Sequence, residues 1–147
     1  MNSAKQTTQR KGSILSIIDF SESSINSLKW AVELARDKNT HLTILYPYRL
    51  NQTEKDTLSE SKRNLDTEAE KSFNKLARPL LSEGMVNYDF RPEIGFIYDR
   101  VYSHTSRNNI MFIVAPQKMA IANKDVFCDL INIITVPLVI VPEKIKS

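Results

Sequence analysis

Residues 14–48, ILSIIDFSESSINSLKWAVELARDKNTHLTILYPY, decide the fold. Residues 14–18 are a short apolar run of the kind a strand buried on both faces requires. Asp19 ends the run. Ser21 is a good helix N-cap, and Glu22 sets a negative charge at the positive end of the helix that follows. Ile25, Leu28, Val32 and Ala35 recur at helical spacing, a stripe able to lie on a sheet. Asn39 suits the left-handed conformation that stops a helix. Residues 42–45 are the next apolar run. Parallel strands need a crossover of this kind, so the unit reads as βαβ.

The same alternation continues through the chain. A polar helix is predicted over 57–83, with Leu65, Ala69, Phe73, Leu76 and Leu80 on its inner face. Pro79 cannot donate to residue 75 and should kink or shift the last turn, and Gly84 is the expected stop. Residues 51–61 are polar and read as a loop or frayed turn. Val86, Tyr88 and Phe90 alternate with Asn87, Asp89 and Arg91, which marks a half-exposed strand at a sheet edge, and Pro92 is expected to end it. A helix over 96–107 should turn Ile97, Val101 and Thr105 to the sheet. Residues 110–115 are continuously apolar and read as a central strand. A last helix over 124–134 should bury Val126, Phe127, Leu130, Ile133 and Ile134, and residues 138–141 form the last strand. The string βαβαβαβαβ gives one α/β domain over 13–147, a five-stranded parallel sheet with helices on both faces.

Composition excludes several classes. The 147 residues are 41% hydrophobic and 25% charged, which fits one soluble domain with a real core. No apolar run approaches the ~20 residues of a membrane helix. The single Cys128 cannot make an internal disulfide and fits a reducing cytoplasm. The net charge of +3 is carried by residues 1–12, where Lys5, Arg10 and Lys11 stand with no acid. That stretch reads as a disordered basic tail. The remainder is near neutral and shows no basic, aromatic-interleaved stripe, which argues against nucleic acid as a partner. Two histidines and one cysteine make no usual metal cluster, and neither a Walker A loop nor a nucleophile elbow occurs. A non-catalytic protein is therefore expected.

The order apolar run, Asp, Phe, Ser, Glu, Ser, then a helix ending in ELA, then HLTIL, resembles the opening of the universal stress protein (UspA) family. IVAP at 113–116 and VPLVIVP at 136–142 resemble that family's last two strands. The resemblance spans residues 13–142 and implies the strand order 3-2-1-4-5, the adenine nucleotide alpha hydrolase-like arrangement. In such sheets ligands bind beyond the strand carboxyl ends where the order reverses, here between strands one and four. The resemblance thus makes Asp19, Ser21, Gln117 and Lys124 the candidate ligand-binding residues. Nucleotide-binding members follow strand four with glycines spaced Gly, two residues, Gly, nine residues, Gly, then Ser or Thr. Such a loop lets backbone N–H groups reach phosphate with no side chain in the way. This chain's glycines are Gly12, Gly84 and Gly95, none of them after strand four. By alignment on Pro137, Pro116 stands at the first glycine, and Lys124 and Asp125 stand at the last Gly-Ser pair.

Three functions remain open on these residues. One is a regulatory protein of universal stress type that needs no cofactor and does not bind ATP tightly. Another is an ATP/ADP switch or weak ATPase with an atypical loop. The third is a small-ligand sensor using the same crevice. The resemblance also implies a homodimer through the last strand, with Leu138, Val139, Ile140 and Val141 at the interface and the two copies antiparallel across a two-fold axis.

Overall fold

The computed structural model describes residues 12–50, 58–84 and 86–143. The tail expected over 1–12, all but its last residue, lies outside them, as does most of the polar segment expected over 51–61. Five parallel strands form one sheet: β1 (Ser13–Ile17), β2 (His41–Tyr48), β3 (Tyr88–Ile94), β4 (Ile110–Pro116) and β5 (Leu138–Val141). Their order is β3-β2-β1-β4-β5. The helices are α1 (Glu22–Lys38), α2 (Leu58–Ser72), α3 (Arg78–Gly84), α4 (Ile97–Arg107), α5 (Gln117–Ala122) and α6 (Lys124–Ile133).

The first βαβ unit forms as its sequence predicts. Ser21 caps α1 by accepting from the Ser24 amide at 3.2 Å. At the other end Asn39 sits at φ 51° and ψ 52° and returns its N–H to the carbonyls of Ala35 and Arg36. One apolar layer lies between the sheet and α1, α2 and α3: Ile14, Ile18, Leu28, Val32, Leu42, Ile44, Phe73 and Leu81 are its largest buried members. The other lies between the sheet and α4 and α6, around Leu15, Ile17, Leu45, Val101, Ile113, Phe127 and Leu130. Alternate residues of β1 feed opposite layers, which is why neighbours such as Ile14 and Leu15 are both apolar.

Two prolines show how backbone direction decides strand length. Pro92 was expected to end β3, yet β3 runs on to Ile94. The Asn87 carbonyl accepts from Leu42, and the Gly95 amide donates to Tyr48, so odd-numbered residues of β3 direct their polar backbone groups at β2. Pro92 is even and faces the open edge, where a missing N–H costs no ladder bond. Pro47 lies within β2 for a similar reason. Leu45 accepts from Ile18, so odd residues of β2 address β1, and β1 has ended at Ile17, opposite Leu45.

The polar helix departs from its predicted phase. Between α2 and α3, residues Phe73–Ala77 form a π-helical turn, closed by the Arg78 amide on the Phe73 carbonyl. Ala69, Phe73, Ala77 and Leu81 are buried, whereas Leu76 is 38% exposed and Leu80 only partly covered. Twelve residues separate Ala69 from Leu81, and three α-helical turns hold only about 11. The wider turn absorbs the extra residue and keeps the stripe on the core. It stands directly before Pro79, which has no N–H to close an ordinary turn. The helix runs through Gly84. In α6, Phe127 and Leu130 are buried as expected, but Ile133 is 46% exposed, because the helix ends there and the chain leaves for β5.

Candidate functional site

Asp19 and Ser21 lie just past the carboxyl end of β1, and Gln117 follows β4, the neighbouring strand. The strand reversal falls between them, as the resemblance implied. Within this crevice the polar groups are largely committed to the protein itself. The Asp19 carboxylate accepts from the Ser21 amide at 3.0 Å and from its hydroxyl at 2.5 Å. The Ser21 hydroxyl in turn accepts from Ser24. The Asp19 amide donates to Ser24 Oγ at 3.2 Å. These bonds tie the β1 turn to the α1 cap, a structural task that leaves Ser21 no spare proton for a ligand. Gln117 Oε1 accepts weakly from the Glu143 amide at 3.4 Å, across the end of β5. Lys124 is exposed at the first residue of α6.

Residues 116–125 are where the resemblance places a phosphate loop. The chain there is helical. Pro116 caps α5 with no side-chain bond, and α5 begins at the next residue, a helix the sequence reading missed. Asn123 joins α5 to α6: its amide and Nδ2 both donate to the Met119 carbonyl, at 3.0 and 2.8 Å. The Phe127 amide donates to Asn123. A helical N–H past the first turn is spent on a carbonyl four residues back and cannot turn to a phosphate. Met119 is buried beneath α5, which fixes that helix on the sheet.

Beside Asp19, Phe20 holds a left-handed φ of 65°, uncommon for a bulky residue and costly by about 1–3 kcal/mol. The turn directs its ring onto Tyr46 at 4.8 Å and Phe90 at 6.0 Å between centroids. Aromatic packing thus holds the strained turn. Burial raises the Tyr46 phenol above its ordinary range, and the Asp19 charge adds to the shift. Tyr48, two residues on along the same strand, donates to Asp66 of α2 at 2.5 Å, and Lys62 donates to the other carboxylate oxygen at 2.8 Å. Burial raises the Tyr48 phenol, and its bond to Asp66 raises it further. Burial also pushes the Asp66 carboxyl upward, but the bonds from Lys62 and Tyr48 outweigh it and hold the group below its usual range.

This pair predicts an acid-side dependence. A carboxyl lowered in the folded state stabilises it above the unfolded value, near pH 4. The stabilisation is lost as pH falls through the lower folded value. Tyr48→Phe removes one of the two bonds holding Asp66 ionised. The variant should lose about 1–2 kcal/mol at pH 7, because Asp66 remains partly solvated. The gap between variant and parent should narrow below pH 4. Denaturant melts from pH 2 to 7 measure both, and a gap that does not change with pH would remove Asp66 as the cause.

A second polar cluster, unforeseen in the sequence, runs along β3 from the amino ends of the strands at His41 and Asp89 to Glu93. Asp89 Oδ1 takes His41 Nε2 at 2.7 Å and Thr43 Oγ1 at 2.9 Å. Arg91 reaches Asp89 Oδ2 at 3.9 Å through Nη1 and Glu93 Oε2 at 3.2 Å through Nε. Glu93 is also held by Arg100 at 3.6 Å and by His104 Nε2, 3.1 Å from each carboxylate oxygen. The alternation visible in the sequence put Asp89 and Arg91 on one face of β3, and the strand's continuation past Pro92 adds Glu93 to that face. That His41 and the buried His104 reach that face was not visible, since each contact joins separate elements. Among the described residues no group of three or more His, Cys, Asp or Glu side chains could hold a metal. No helix among them is long and apolar enough to cross a membrane.

An open α/β sheet wound on both faces, with its switch point between β1 and β4, defines the doubly wound class of fold. Comparison with solved structures narrows it. A protein of the universal stress protein family from Burkholderia pseudomallei superposes with a TM-score of 0.70 at 19% identity, covering 90% of this chain and 96% of its own. A universal stress protein solved with cAMP gives 0.68 at 15% identity, covering 91% and 98%. One from Archaeoglobus fulgidus solved with dAMP gives 0.62 at 12% identity, covering 88% and 95%. No family model and no curated protein matches the chain. At identities below one-fifth the likeness is one of fold, and the fold is that of the universal stress proteins.

Proposed function

We propose that this chain is a divergent universal stress protein, a non-catalytic regulatory protein of the cytoplasm that works as a homodimer and does not bind ATP tightly. One observation carries the reading: residues 116–125 are built as helix, turn and helix. A triphosphate needs several backbone N–H groups free and unobstructed at that place. Pro116 has no N–H, the amides deeper in α5 and α6 are used within the helices, and Asp125 sets a negative charge at the start of α6. Each charge-assisted bond to phosphate that is not made is worth about 1.5–3 kcal/mol. Two or three such losses separate a micromolar site from a millimolar one.

Isothermal titration of the full chain with ATP and magnesium should therefore show no binding tighter than millimolar. Two of the structural relatives were solved with adenosine monophosphates, so cAMP and AMP belong in the same titration. Micromolar ATP or ADP binding would overturn the proposal in favour of a nucleotide switch. Binding of a monophosphate alone would favour a small-ligand sensor at the crevice.

A further inference from the structure

The groove at the amino-terminal ends of β1, β2 and β3 has a volume of about 470 Å³. Its lining is polar throughout: Ser13, His41, Thr43, Asp89, Arg91, His104, Asn108 and Asn109. Elsewhere on this face of the sheet the residues are apolar and covered, as Leu15, Ile17, Leu45 and Ile113 are. Along β3 they are Asp89, Arg91 and Glu93, and α4 meets that strand through Arg100 and His104 rather than through apolar contacts. We infer that this groove is a binding site for a small hydrophilic oxyanion, a metabolite bearing a phosphate or carboxylate group, anchored by Arg91.

The inventory of donors and acceptors sets the ligand's chemistry. Each carboxylate oxygen in the cluster already has a partner. Asp89 Oδ1 takes His41 and Thr43, and its Oδ2 takes Arg91. Glu93 Oε1 takes Arg100 and His104, and its Oε2 takes Arg91 and His104. Three of the four carboxylate oxygens accept hydrogen bonds inside the cluster, and Asp89 Oδ2 faces only the Arg91 charge at 3.9 Å. Donor capacity is less fully used. Arg91 carries five N–H groups, and its contacts with described residues run through Nε and Nη1, which leaves the Nη2 amino group for another acceptor. Ser13 adds a hydroxyl, in register with His41 on the neighbouring strand. A donor surplus calls for an acceptor-rich ligand.

Charge agrees with that chemistry. Asp89 and Glu93 are balanced by Arg91 and Arg100, so an incoming anion meets carboxylates that are already neutralised by their neighbours. Arg91 is fixed for the task from both sides, because carboxylates two residues before and after it on the same strand face hold its guanidinium across the groove floor. Glu93 and His104 are covered, with side chains 16% and 10% exposed, whereas Arg91 is 53% exposed and reachable. Among the described residues no Phe, Tyr or Trp lines the groove, so it lacks the large apolar ring that base stacking favours.

Titrating inorganic phosphate and, separately, citrate into isotope-labelled full-length protein tests the assignment, with sodium chloride at matched ionic strength as the reference. Saturable amide shifts are expected at residues 41–43, 89–91 and 93, and the tighter of the two ions tells a phosphate ligand from a carboxylate one. Arg91→Gln should weaken that binding by about tenfold, the worth of one charge-assisted contact. Its fold should hold, since Glu93 keeps Arg100 and His104. Ser13→Ala gives a second variant expected to weaken binding, and Lys124→Gln at the far crevice should leave it unchanged. Shifts reproduced by chloride, shifts centred on residues 116–125, or full affinity in Arg91→Gln would each overturn the inference.

Discussion

Phe73→Ala should cost about 4 kcal/mol of stability, the range of a fully buried aromatic truncated to a methyl group. For a domain of this size that lowers the melting temperature by about 10–15 °C. Phe73 is 1% exposed. Its ring stacks on Phe90 at 4.3 Å between centroids and meets Tyr88 at 5.9 Å, so it joins the helical layer to the edge strand β3. The Arg78 guanidinium stands over the ring, 5.4 Å from its centroid. Removing the ring leaves a cavity that the helix cannot close, because Ala69, Ala77 and Leu81 on either side of it are already buried. Leu76→Ala, three residues along the same π-turn, should cost under about 1 kcal/mol, since its side chain faces water. Thermal melts of the two variants measure the difference. Equal losses would mean that the helix lies in the phase its sequence suggested, with Leu76 inward.

That pair of residues shows where the sequence stops being legible. Both Leu76 with Leu80 and Ala77 with Leu81 make an apolar stripe, and the leucines outweigh an alanine on any hydropathy scale. The choice turns on one extra residue in one turn, which follows from the missing N–H of Pro79 and the fit of Phe73 against Phe90, contacts made across the fold. The opening βαβ unit was legible because its determinants are local: Ser21 caps the helix it precedes, and Asn39 supplies its own left-handed stop. Pro92 misled for want of a direction. Period-two patterning tells which face a side chain takes but not which neighbour the backbone addresses, and only the latter decides whether a proline breaks a ladder. Of the crevice residues, Asp19, Ser21 and Gln117 fell beside the switch point because strand ends are local features. What they bond to was hidden, and so was the short helix at 117–122, whose sequence QKMAIA has too few residues to show a period. The cluster around Glu93 was the least legible, since its members come from β2, β3 and α4.

Sedimentation of the full chain at tens of micromolar should give a dimer, and Ile140→Lys should give a folded monomer. β5 is an edge strand four residues long, and its inner neighbour is β4. The Ile113 amide donates to Pro137, so the odd residues of this segment direct their polar groups inward, and Leu138 and Ile140 present theirs at the open edge. Pro142, next in that outward series, has no N–H and bounds the free edge. An edge this short and apolar is suited to one antiparallel copy of itself rather than to open-ended addition. The side chains separate the contact from the core. Val141 is 4% exposed and Val139 packs in the layer under α1, so lysine at either would unfold the domain and say nothing of assembly. Ile140 is 36% exposed, and Ile131 and Ile133 stand exposed on α6, the helix that leads into β5. A second copy paired along β5 would remove Ile140 from water, and a buried lysine there would add an unpaired charge. Ile140→Leu, which keeps the apolar contact, should remain dimeric. A monomeric wild type at these concentrations, or an Ile140→Lys protein that still sediments as a dimer, would place the assembly elsewhere or remove it.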